Sequence, residues 1–242
     1  MDADREGLLT EMEELGEYFT VVTVPHVQSD PPLAELYAGH PDLLDYVHQV
    51  TESLRTHEQR VGASILVQGL AARLWSVVVG SGLLSDRVPD LAPATTWWAP
   101  HRSGGRLRLL APTAPTAPTR ASDAGRGDPS AIVAEVHHGV VETHLVGLIP
   151  AIRTHVNVPD ALLWGNAASA LVGSVGVLLG ARPDLEAAGG RLVDTLLARP
   201  PLEGTGEVST PTGFVRTSCC LYYRVPGGGL CGDCPLDRQP VR

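Results

Sequence analysis

Two stretches of this chain are apolar on nearly every side of a helix. Residues 60–84, RVGASILVQGLAARLWSVVVGSGLL, are broken mainly by Gln68 and Arg73. An all-round apolar helix belongs at the centre of a fold, covered by its neighbours. The second stretch, ALLWGNAASALVGSVGVLLGA, lies between Asp160 and Arg182 and carries no charge over its 21 residues. It is long enough to span a bilayer. Asn166, Ser169 and Ser174 interrupt it, however, and it lacks flanking basic clusters and an aromatic belt. Its Gly and Ala positions suit close packing, so a buried core helix is expected and no stable membrane insertion.

Weaker patterns surround these two. An amphipathic helix is predicted over 4–18, a proline-bearing loop over 24–42, and a polar helix from Asp42 to about Glu58. A long helical pattern starts at Asp128 or Ser130, either a plausible cap, and runs to about Pro150. A shorter helix over 184–198 stops before Pro200-Pro201. The period changes to two in TTWWAP (95–100) and GRLRLLAP (105–112), predicted strands joined as a hairpin around Ser103-Gly104-Gly105. Residues 111–130, APTAPTAPTRASDAGRGDPS, have too little apolar surface to fold alone and read as a mobile loop protruding from one fold. Residues 202–242 are turn-rich, with strands expected at GFVRTS and LYYRV. The expected fold class is α+β: a predominantly α-helical body over 1–210 with a small β element, and a C-terminal tail over 211–242.

Charge narrows the function classes. A net charge of −9 disfavours nucleic acid and anionic lipid as partners. The acidic start, MDADREGLLTEMEELGEYF, lacks the positive region and apolar run of a secretory signal, which predicts a cytoplasmic protein. Thiols stay reduced there, and clustered cysteines bind metal more often than they form disulfides. All 18 basic residues are arginine.

Against that background the four cysteines stand out, because all fall in SCCLYYRVPGGGLCGDCPL (218–236) with the spacing C-C-x10-C-x2-C. A Cys219–Cys220 disulfide would close a strained ring. A structural zinc site usually takes two C-x2-4-C knuckles, and only Cys231 and Cys234 form one, although two consecutive thiolates on zinc remain possible. A [2Fe–2S] cluster suits the spacing better: it has two irons, each taking two thiolates, so adjacent cysteines can reach different corners. Gly227, Gly228 and Gly229 would form a loop wrapping the cluster and offer backbone N–H groups to its sulfurs. Arg224 could offset the thiolate charge and raise the potential.

The segment FVRTSCCLYYRVPGGGLCGDCPL closely resembles the C-terminal motif of the FhuF-like ferric-siderophore reductases, with the tyrosines (among them Tyr223), Arg224 and the glycine run in place. ASILVQGLAARLWSVVVG and LLWGNAASALVG also look like the family's more variable helical domain. That domain is similar in turn to a C-terminal portion of the siderophore synthetases that condense carboxylates with amines. The resemblance implies that Cys219, Cys220, Cys231 and Cys234 hold a [2Fe–2S] cluster, with Tyr223, Arg224, Gly228 and Gly229 around it. It also implies an oxidoreductase that releases iron from an imported ferric siderophore, of hydroxamate type, by one-electron reduction of Fe(III) to Fe(II). No G-x-G-x-x-G after a strand and no P-loop is present, so electrons are expected from a partner, a flavin reductase using NAD(P)H or a ferredoxin.

Candidates for the siderophore dock are Trp75, Arg73, Trp97, Trp98 and Asn166, each of which core packing or a buried hydrogen bond would also explain. In EVHHGVVETHL (135–145), His138 and Glu142 are i,i+4 neighbours, and His137 and His144 lie seven apart on nearly one helix face. They do not form H-E-x-x-H and read as helix-surface or capping residues. Two rival functions remain open: an iron–sulfur electron carrier or redox sensor without siderophore turnover, and a zinc-stabilised binding module.

Overall fold

The two apolar stretches form the centre of the molecule. The computed structural model describes residues 2–23, 30–101, 105–111, 129–210 and 213–236. Helix α4 (Gln59–Ser85) and helix α7 (Asp160–Ala181) pack side by side as the most extensive pairing among the described elements. Both are long and apolar enough to cross a membrane, and both windows are 78% buried within the protein, as the core helices of a soluble protein are. Two polar contacts join them across the seam. Trp75 Nε1 donates to the Ala167 carbonyl at 3.0 Å, and the hydroxyls of Ser76 and Ser174 meet at 2.9 Å. Each bond satisfies a group that would be costly to bury unpaired.

The remaining helices cover this pair. They are α1 (Asp2–Leu15), α2 (Leu33–Tyr37), α3 (Asp42–Ser53), α5 (Pro129–His137), α6 (Val146–His155) and α8 (Glu186–Leu197). Helix α3 crosses α4 at Gly62, where a Cβ would collide with the Thr51 hydroxyl and lie 2.8 Å from the Val47 carbonyl. Only glycine lets the two backbones approach so closely. The three-stranded sheet has the order β1–β3–β2. Strand β1 (Val22–Thr23) runs parallel to β3 (Gly105–Ala111), and β2 (Trp97–His101) runs antiparallel to it. Strands β4 (Gly206–Thr210) and β5 (Gly213–Arg216) pair antiparallel apart from this sheet, and β5 leads into the cysteine segment.

The helical α+β architecture agrees with the sequence, and several local expectations do not. Part of the predicted loop over 24–42 is helix α2, whose Leu33 and Leu36 are fully buried. The expected stop at Pro150 is absent, and α6 continues through the proline to His155. The ring removes one amide donor, but burial of Leu148, Ile149, Ala151 and Ile152 holds the helix together. LYYRV is not a strand. Leu221 takes a left-handed conformation (φ 67°) and Tyr222–Arg224 form a 3₁₀ turn closed by Val225 N–H to the Tyr222 carbonyl at 3.0 Å. The proline-rich loop, apart from its ends, and the tip of the β2–β3 hairpin lie outside the described residues.

Between α5 and α6 the chain forms a π-helix, His138–Leu145. Its wider turn brings residues five apart together. Glu142 therefore receives both His137 Nδ1 at 3.2 Å and His138 Nδ1 at 2.8 Å. His144, expected as a helix-surface or capping residue, instead points the other way, into the core, where its Nδ1 meets the Tyr37 hydroxyl at 2.9 Å. Burial, only partly offset by a hydrogen bond with the Leu91 backbone, lowers its pKa to about 4. An unfolded histidine takes up a proton near pH 6.5. Between these values the unfolded chain binds the extra proton, so stability is full above pH 6.5 and falls as pH drops toward 4. The expected loss is roughly 3 kcal/mol. Urea denaturation at pH 7.5 and 4.5 checks it: the wild-type loss should exceed that of H144Q, and equal losses would exclude His144 as the cause.

Candidate metal centre

The cysteine segment is seated on the two central helices by a chain of buried polar contacts. Strand β5 delivers Arg216 inward, and its side chain is completely buried. Its Nε lies 2.8 Å from Asp233 Oδ2, and its Nη2 donates to Asp233 Oδ1 at 2.9 Å. The same Nη2 donates to Cys231 Sγ at 3.1 Å, and Nη1 donates to Asn166 Oδ1 at 2.5 Å. A guanidinium out of water needs such a fork of acceptors to offset its desolvation. Asn166 on α7 is oriented by its own amide, which donates at 2.8 Å to both the carbonyl and the hydroxyl oxygen of Ser64 on α4. Ser64 Oγ in turn donates to the Cys220 carbonyl at 2.6 Å. Further bonds hold the backbone: Arg216 N–H to the Asp233 carbonyl at 3.1 Å, and the Ser218 hydroxyl to the Ala161 carbonyl at 3.1 Å. Gly165 leaves the space that the Ser218 hydroxyl enters.

All four cysteines are free thiols, Cys220 and Cys234 buried and Cys219 and Cys231 half-buried. Cys220 Sγ and Cys231 Sγ stand 3.6 Å apart. Tetrahedral thiolates at about 2.3 Å from a metal are separated by about 3.8 Å, so this pair already has the spacing of two ligands on one ion. Cys231 and Cys234 close a knuckle through Cys234 N–H to the Cys231 carbonyl at 3.1 Å. The left-handed turn at Leu221 points its N–H at Cys219 Sγ, 3.3 Å away. Among the described residues, no three His, Cys, Asp or Glu side chains are gathered around one ion. Burial, together with the hydrogen bond to Asp233, pushes the Cys231 thiol up to about 12, with the Arg216 charge opposing. Burial likewise raises Cys219. A metal cation that replaced these protons would offset the cost of burying the thiolates.

The other residues singled out in the sequence fall in different places. Arg224 is partly exposed and donates to Glu58 Oε1 at 2.8 Å, beside the start of α4. Tyr223 is exposed. Gly228 spends its N–H on the Val225 carbonyl at 2.8 Å, and a Cβ there would lie 2.7 Å from the Tyr222 carbonyl. Gly229 faces open space. Of the five dock candidates, Asn166 joins the cysteine site through Arg216. Trp75 is bonded within the α4–α7 core. Arg73, 1% exposed, stacks over the Tyr18 ring at 3.9 Å and donates to the Glu17 carbonyl. Trp98 is buried against Tyr46, and Trp97, half-buried, donates to the Asp30 carbonyl at 3.1 Å.

Sequence reasoning passed over Arg216, Asp233 and Ser64. The signal for the first two was present in the string itself: a cation three residues before the cysteine pair and an anion inside C-G-D-C. Ser64 carried none, because its partner lies 156 positions away.

No curated protein matches the chain. Residues 216–236 match the family model described as the FhuF 2Fe-2S C-terminal domain, and Cys219, Cys220, Cys231 and Cys234 fit its motif. The segment from Arg216 to Leu236 is thus similar to the FhuF 2Fe–2S C-terminal domain, and that similarity indicates a [2Fe–2S] cluster at these cysteines.

Proposed function

We propose that the protein is a cytoplasmic ferric-siderophore reductase in which Cys219, Cys220, Cys231 and Cys234 ligate the [2Fe–2S] cluster. The observation that carries this reading is the FhuF-type cysteine segment with Cys220 and Cys231 already at ligand spacing, 3.6 Å apart. The four thiols would hold the cluster, and Cys220 and Cys231 stand at the spacing of two ligands on one ion.

When bound, the cluster supplies a one-electron carrier whose potential can lie low enough to reduce a chelated Fe(III). Hard oxygen chelators hold Fe(III) far more tightly than Fe(II), so reduction is the step that frees the metal. The protein's own residues keep the carrier in place. Asp233 and Asn166 hold Arg216 against the Cys231 sulfur, and Ser64 fixes the backbone at Cys220. Tyr222, Tyr223, Leu230 and Leu236 are exposed within the same segment and offer apolar contact area for a chelate or electron donor close to the sulfurs. A net charge of −9 disfavours the highly anionic tris-catecholate complexes and suits hydroxamate complexes, which carry little negative charge. The donor is a flavin reductase using NAD(P)H, or a ferredoxin.

Stopped-flow mixing tests the reading. Anaerobically reduced protein is mixed with ferric hydroxamate, catecholate and carboxylate siderophores in the presence of an Fe(II)-specific chromogenic chelator. Reoxidation of the cluster together with one chelated Fe(II) per electron is expected for the hydroxamates. A reduced cluster that persists with all three classes would exclude reductase activity.

A further inference from the structure

We propose that Arg216 is a positioning residue that sets the cluster's potential: its buried guanidinium, held by Asp233 and Asn166, donates to the Cys231 thiolate and favours uptake of the electron, while Asp233 acts in the opposite direction. This rests on ligation of the cluster by the four cysteines and does not depend on the siderophore.

The argument begins with burial. Arg216 is 2% exposed, and its charge lies where the effective dielectric is far below that of water. Reduction by an external flavin or ferredoxin adds one negative charge to the cluster and its thiolates, with no bond made or broken in the protein. A fixed cation in hydrogen-bond contact with one of those sulfurs stabilises the added charge. The bond itself draws electron density from the sulfur and acts in the same direction. Nη2 is held on Cys231 Sγ at 3.1 Å because Asp233 and Asn166 take the other edges of the fork. A lysine could not reproduce this arrangement, since an ammonium has no rigid fork. Asp233, whose side chain is 17% exposed, brings a nearby negative charge that opposes reduction.

Arg224 supplies the contrast. It stands in the same segment, but it is about a third exposed and paired with Glu58, so water and salt screen its charge. An overall shortage of cations near the cluster would be relieved by either arginine. A role for the geometry at Cys231 belongs to Arg216 alone.

Anaerobic redox titration, followed by visible absorption and electron paramagnetic resonance, tests the proposal. R216Q should lower the midpoint potential by at least 59 mV, a tenfold change in the equilibrium constant for a one-electron couple. D233N should raise it, and R224Q should leave it unchanged. A purely structural role would make R216Q and D233N less stable without moving their potentials in opposite directions. An intact cluster spectrum with an unmoved potential in R216Q, or shifts of the same sign in R216Q and D233N, overturns the proposal.

If R216Q does not retain its cluster, the R224Q protein labelled with ¹⁵N-arginine is read in its reduced state by pulsed resonance. A ¹⁵N hyperfine coupling supports the Arg216–Cys231 bond, and its absence overturns it. A wild-type protein without a [2Fe–2S] spectrum would remove both this proposal and the ligand reading. An intact spectrum with no arginine effect removes this proposal alone.

Discussion

Replacing Cys231 by serine is expected to abolish the cluster. The variant should purify without the visible absorption of the wild type and with acid-labile sulfide reduced to background. The substitution removes a soft thiolate, and serine offers a hard hydroxyl that stays protonated at neutral pH and is a poor partner for iron–sulfur chemistry. It does more than delete one ligand. Cys231 accepts the hydrogen bond from Arg216 and stands 3.6 Å from Cys220, so the best-formed ligand pair is lost with it. The knuckle bond from Cys234 N–H to the residue 231 carbonyl is a backbone contact and should survive. The variant is therefore expected to fold, and far-ultraviolet circular dichroism should match the wild type. An unchanged visible spectrum would exclude Cys231 as a ligand.

Asn166→Leu is expected to be the most damaging single change in the body. Its side chain is fully buried and bonded on both ends, to Ser64 on one side and to Arg216 on the other. Leucine has similar bulk and fills the space, but it leaves the Nη1 edge of the Arg216 fork without an acceptor and removes the bonds that Asn166 donates to Ser64. A buried charged donor left unsatisfied, with those bonds deleted, costs about 2–4 kcal/mol. In a protein of this size that lowers the thermal midpoint by roughly 5–15 °C. Calorimetry on the purified variant checks the value. A midpoint equal to the wild type would mean that the helix-to-tail contact contributes nothing to the fold.

The parts of the molecule legible in the sequence are those whose cause is local and repeated. Helices α4 and α7 could be placed within a residue or two, because an apolar run of more than 20 residues marks one continuous helix whether its surroundings are protein or lipid. The cysteines were legible for the same reason, since their spacing is itself the chemical signal. The π-helix His138–Leu145 was not, because eight residues are too few to separate its period from that of an α-helix. The turn at Tyr222–Arg224 was hidden by residues of high strand propensity. There the left-handed Leu221 decides the path, and that conformation is set by the contacts of the cysteine pair beside it. Arg216 looked like an ordinary strand residue. Its meaning depends on Asn166, 50 positions earlier, and only packing brings the two together.

The route from the Cys220 carbonyl through Ser64, Asn166 and Arg216 to the Cys231 sulfur is a continuous path of contacts that passes through both central helices. A cofactor held by both Cys220 and Cys231 would close this path from the outside. Assembly of the cluster and cohesion of the helical body then become a single equilibrium, in which whatever binds only the folded chain raises its population by mass action. Without iron and sulfide that contribution is lost, and the seat of the cysteine segment on α4 and α7 rests on these hydrogen bonds alone.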